Sequence, residues 1–147
     1  MCLLINTDLH KNNKPFVADK NIVVYKFLKY DMGCFYTPFQ YFIVNFDKNG
    51  MFFYDNTEME ISNKKVYRGI HSYIKETYIP FFYGQADVLG YQEALFYAII
   101  PAGSHYYIGV DNDIVSDNLI IFKHTQDINR FILKEKIDIT RIDIIHK

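Results

Sequence analysis

Tyr41-Phe42-Ile43-Val44-Asn45-Phe46-Asp47-Lys48-Asn49-Gly50-Met51-Phe52-Phe53-Tyr54 sets two aromatic and β-branched runs on either side of Asp-Lys-Asn-Gly. Such side chains fit a pleated, half-buried surface. Asn-Gly accepts positive φ, so the four polar residues read as a tight turn. Residues 41–54 are therefore expected to form a β-hairpin, and the chain to be strand-rich.

Working outward, Asn21-Ile22-Val23-Val24-Tyr25-Lys26-Phe27-Leu28 has the same composition and no helix cap, so it reads as a strand. Leu3–Asn6 is a short first strand, followed by the polar loop Lys11-Asn12-Asn13-Lys14-Pro15. Pro38 interrupts the start of the run Tyr36–Phe46, since proline lacks a ladder donor. Val66–Tyr73 reads as a strand that enters a turn at Gly69. Ser72 is placed to cap a short helix over Tyr73–Ile79, which Pro80 would end. Glu93–Ile100, His105–Val110 and Asn118–Phe122 are further strands, and Asp111–Asp117 reads as an acidic loop. Thr125 can cap a helix over Gln126–Lys134. The tail Ile137–Ile144 alternates with a period of two, as a half-buried strand does. The expected class is α+β, mostly antiparallel β, as a curled sheet, sandwich or partial barrel with one or two short helices.

The length of 147 residues suits a single domain spanning 1–147. Half the residues are apolar and 22% are charged, an ordinary globular composition. A net charge of −1 argues against the basic patch that nucleic acid requires. Neither a signal peptide nor an apolar run of membrane-spanning length is evident, and a cytoplasmic location is expected. Cys2 and Cys34 read as reduced thiols. Neither a zinc cluster nor a cofactor motif is present, so the expectation is no metal and no cofactor.

The segments Met1-Cys2-Leu3, Ala18–Lys26, Thr37-Pro38-Phe39-Gln40, Gly69-Ile70-His71-Ser72-Tyr73 and Ile100-Pro101-Ala102-Gly103-Ser104-His105-Tyr106-Tyr107-Ile108-Gly109 resemble a group of small uncharacterised bacterial and bacteriophage proteins. The resemblance spans roughly residues 1–122 and implies no activity. Tyr67-Arg68-Gly69 also resembles the nucleotide-gripping strand of ADP-ribosyltransferases. That family places a glutamate motif on a later strand, where this chain has only Glu93.

Six residues are candidates for ligand binding: Arg68, His71, Tyr73, Ser104, His105 and Tyr107. Arg68, His71, Ser72 and Tyr73 form the densest polar group beside an expected turn. Ser104 and His105 are adjacent on a strand, so they point to opposite faces and make no nucleophile–base pair. Asp111–Asp117 has the oxygens of a calcium loop but the wrong spacing, with Val115 fifth and Phe122 twelfth. Phe81-Phe82-Tyr83 and Tyr106-Tyr107 are candidates for a partner surface. With no complete catalytic set, the expected function is non-catalytic binding or interaction. The alternative is a small enzyme or sensor for a nucleotide-like ligand. A protein partner is expected, or a homodimer through the neighbouring helix or the Ile-rich tail, whose chain-end strand would lie at a sheet edge.

Overall fold

The computed structural model describes residues 3–37, 43–54, 58–74, 92–124, 126–128, 131 and 142–144. In chain order the strands are β1 (Leu3–Leu4), β2 (Phe16–Val17), β3 (Asn21–Asp31), β4 (Cys34–Tyr36), β5 (Ile43–Val44), β6 (Met51–Tyr54) and β7 (Ile61–Ser62). They continue with β8 (Lys65–Val66), β9 (Ile70–Tyr73), β10 (Gln92–Ile100), β11 (His105–Ile108), β12 (Asp113–Ser116), β13 (Leu119–Phe122) and β14 (Ile142–Ile144). Residues 126–128 and 131 are helical.

The β-branched run at Ile22–Val24 lies within β3, the spine of the large sheet. β10 pairs antiparallel along one edge of β3, from Gln92↔Tyr30 to Ile100↔Ile22. Three strands share the other edge. β14 runs parallel to Asn21–Val23, β9 meets Tyr25 through Tyr73, and β4 folds back on Lys29–Asp31. The main path of the sheet is β2-β11-β12-β9-β3-β10-β13-β6, and a second sheet has the order β1-β8-β7. Every ladder except β14 on β3 is antiparallel, which bears out the expected mostly antiparallel class. Among the described residues β2 and β6 end the main path without meeting, so the sheet is not closed into a barrel.

Both faces of β3 are covered. Ile22, Val24 and Leu28 join Ile70, Ala98, Ile100, Ile114 and Ile121 on one face, the core face. Val23, on the back face, packs with Ile99, Ile120, Phe122 and the helical Ile128. Further along the back face, Leu3 and Val66 of the small sheet cover Tyr107 and Val115. The back face is thus roofed at one end by the helical segment and at the other by the small sheet.

Three expectations need correction. The turn at 47–50 is present: Gly50 N–H reaches the Asp47 carbonyl at 3.0 Å, and Gly50 has φ 73°. Among the described residues the hairpin ladder is not: β6 pairs with β13 (Met51↔Phe122) and β5 with β4 (Phe35↔Val44). Ser72 and Tyr73 are buried in β9 rather than opening a helix, Ile74 follows in a bend, and residues 75–79 of that expected helix lie outside the described residues. Most of the expected acidic loop is β12, paired on both sides by β9 and β11. Phe81–Tyr83 and most of the tail lie outside the described residues, and the described part of the tail pairs within the chain on β3.

The turn at 47–50 is held by one carboxylate. Asp47 Oδ1 accepts the Asn49 and Met51 N–H groups at 2.8 and 3.0 Å. Asp47→Ala removes both bonds and is expected to cost about 1–2 kcal/mol. Urea denaturation of the variant checks this, and a loss under about 0.3 kcal/mol would show that the turn needs no such acceptor.

Candidate functional site

Alternation on β12 puts Asp113, Val115 and Asp117 on the back face, where each aspartate meets a histidine from a flanking strand. His71 of β9 lies 3.0 Å from Asp113 through Nε2, and His105 of β11 lies 3.0 Å from Asp117 through Nδ1. Four strand residues at about 3.3 Å each separate the two aspartates by ~13 Å. The two pairs live in different surroundings. The side chains of His71 and Asp113 are only 10% exposed, whereas His105 is 50% exposed. Burial holds the His71 imidazole below its ordinary range, with the hydrogen bond and charge of Asp113 opposing that shift.

The exposed pair stands at an open groove of about 470 Å³. His105, Tyr107 and Asp117 form its floor, while Pro15, Glu58, Met59 and Ile61 form its sides. The floor is firmly built. Asp117 Oδ1 accepts the His105 backbone N–H at 2.9 Å and the Asn118 amide at 3.0 Å. The Tyr107 hydroxyl donates to the Asn13 carbonyl at 2.8 Å, and burial pushes its phenol pKa up. His10 locks the 10–15 loop beneath. Its Nδ1 donates to the Lys14 carbonyl and its Nε2 accepts the Ile108 N–H, both at 2.9 Å. Its ring packs on Phe16 and Tyr107, with centroids 4.1 and 5.0 Å away.

Of the six residues expected to bind ligand, the groove gathers His105 and Tyr107. Arg68 lies outside its lining and pairs with Glu60 at 3.2 Å on the surface. His71 and Tyr73 are buried in β9, and Tyr73 packs edge-on against Phe27. Ser104 is buried in the turn after Pro101, where its N–H reaches the Pro101 carbonyl at 3.1 Å. The sequence reading missed Glu58, Met59, Asp117 and His10. Only Asp117 carried a local signal, an acid two places from Val115 at strand spacing.

A second polar cluster is enclosed in the sheet. Lys26 projects from the core face of β3, where β9 touches β3 only at Tyr25↔Tyr73. Its ammonium donates to the His71 carbonyl. Burial lowers its pKa from 10.5 to about 7. Ser72, one register step from the Tyr25↔Tyr73 pair, is fully buried, and its hydroxyl meets no hydrogen-bond partner among the described residues. The perturbed groups Lys26 and His71 therefore sit inside the sheet and do not line the groove.

Among the described residues no group of His, Cys, Asp and Glu is arranged to hold a metal ion, and no helix is long and apolar enough to cross a membrane. Cys34 is a free thiol. Compared with models of known protein families, with curated proteins and with solved structures, the chain matches none.

Proposed function

We propose that the protein is a non-catalytic binding protein and that the groove over His105, Tyr107 and Asp117 is where it holds its ligand. The observation that carries this reading is a preformed concave site. Its volume of about 470 Å³ lies in the range of ligand pockets, roughly 300–1,000 Å³. Its walls combine apolar surface with convergent polar groups, and the buried ionisable groups that would suit catalysis lie elsewhere. The proposal takes the large sheet as curled around its core face, which gathers residues from β3, β9, β10, β12 and β13 into one cluster.

A nucleotide-like ligand is the weaker reading. The cation meant to grip its phosphates, Arg68, is engaged by Glu60, and the groove carries Glu58 and Asp117.

A thermal-shift screen of nucleotides, amines, sugars and short peptides tests the proposal, with hits mapped by amide chemical shifts. A ligand at a hundred times its Kd stabilises the folded state by ~2.7 kcal/mol, a Tm rise on the order of 5–10 °C. The expected shifts fall on Met59, Ile61, His105 and Asp117. Ligands that stabilise the protein yet move none of these amides would remove the groove from the proposal.

A further inference from the structure

The small sheet stops short. Its inner face carries Leu3 and Val66, both buried over Tyr107 and Val115. Ile61 of β7 stands opposite Val66 in the ladder yet is 40% exposed, because nothing described lies beyond it. β7 is the free edge of that sheet among the described residues. The groove is the wedge between this edge and the part of the back face that carries His105 and Asp117.

We propose that an extended segment of a partner polypeptide, carrying Lys or Arg, adds to β7 as a fourth strand and fills this wedge. This deepens the proposed binding function and rests on it. A free strand edge offers unpaired N–H and C=O groups at strand spacing, the usual basis of strand addition. β7 is short, its Ile61 and Ser62 are exposed, and no described strand pairs with its outer edge. An added strand places alternate side chains over the groove floor. The apolar ones meet Ile61 and Met59. The side chains on its other face meet the exposed Glu58 at the rim, while Asp117 is already engaged by His105 and Asn118. Glu58 is exposed and has no hydrogen bond or ion pair among the described residues, so its carboxylate is available to a cation. Glu60, by contrast, is already neutralised by Arg68. The unpaired carboxylate in the lining, Glu58, therefore favours a basic strand and opposes an acidic one.

The test titrates the isotope-labelled full chain with three synthetic peptides: acetyl-Val-Lys-Val-Arg-Val-amide, its counterpart with Glu in place of Lys and Arg, and its counterpart with Pro in place of the central Val. Agmatine serves as a free-amine control. The basic peptide is expected to shift the Ile61, Ser62 and His105 amides. The acidic and Pro-containing peptides are expected to bind at least tenfold more weakly, as is the basic peptide with the Glu58→Gln variant. Glu58 is exposed, so that variant keeps the fold, which its unchanged spectrum confirms. Equal binding of the acidic or Pro-containing peptide overturns strand addition by a basic segment, and so does agmatine binding as tightly as the peptide. If another ligand from the screen maps to the groove while the basic peptide does not, the binding site stands and its occupant is wrong. If nothing maps there, both proposals fall.

Discussion

Lys26→Met is expected to stabilise the fold by about 2–4 kcal/mol at pH 6 and to lose that advantage by pH 10. Burial alone brings the Lys26 ammonium from 10.5 to about 7. That difference corresponds to roughly 5 kcal/mol of cost for keeping the charge inside the folded chain at low pH. Methionine removes the charge and keeps the aliphatic stem. It also leaves the His71 carbonyl without the donor that Lys26 supplies, an offset of about 1–3 kcal/mol. Below pH 7 both folded and unfolded chains hold the Lys26 proton, and the folded state bears the full cost. Between about 7 and 10.5 the unfolded chain binds the proton and the folded chain does not, so wild-type stability rises with pH. The slope approaches ~1.4 kcal/mol per pH unit. His71 acts in the same direction at lower pH: its lowered value means that acidification below about 6.5 withdraws stability. Urea denaturation of both proteins at pH 6, 8 and 10 reads the difference. Parallel pH profiles for wild type and variant would show that Lys26 is not the titrating group.

Lys26 also shows how far the sequence could be read. The alternation Ile22, Val24, Lys26, Leu28 places a lysine in an apolar register, and that much is visible without a structure. The role of Lys26 is not visible, because it depends on β9 leaving β3 after one pair, with partners 45 residues apart. Local chemistry fixed the turn at 47–50, where Asp47 and Gly50 close it. The pairing of its flanks was a choice among distant strands: Met51–Tyr54 pairs with β13 and Ile43–Val44 with β4. Asp111–Asp117 looked like a loop because its carboxylates are costly to bury alone. His71 and His105 meet that cost from strands 42 and 12 residues away, which composition cannot reveal. β4, β7 and the start of β8 were missed for a related reason. β4 follows Met32 at φ 50°, and β7 and β8 turn at Asn63 and Lys64 with φ 51° and 63°. Met and Lys are not residues that announce a left-handed turn. The same limit applies to the groove. His105 and Tyr107 stood out as a polar and aromatic pair after a turn, while Met59 reaches the site beside Gly69, whose missing Cβ leaves room for its close approach.

That approach yields the second large effect. Gly69→Ala is expected to destabilise the protein by about 3–5 kcal/mol and to perturb the groove wall. Gly69 has φ +139°, a conformation that an L side chain rarely adopts. A Cβ there would run into Val115 Cγ1 and come within 3.1 Å of Met59 Cγ. Val115 is 3% exposed under the small sheet, so it has no room to withdraw. Backbone strain of about 1–3 kcal/mol therefore adds to an overpacking cost of similar size. Gly103→Ala supplies the control. Gly103 also has positive φ, +90°, but a Cβ there meets nothing within 4 Å, so only the backbone contribution remains. Urea denaturation should thus separate the two variants by at least about 1 kcal/mol, with amide shifts at Met59 and Val115 for Gly69→Ala alone. Equal losses in the two variants would mean that the side-chain contact at Gly69 carries no weight. The close packing of Met59 on Val115 would then not be what sets the width of the groove.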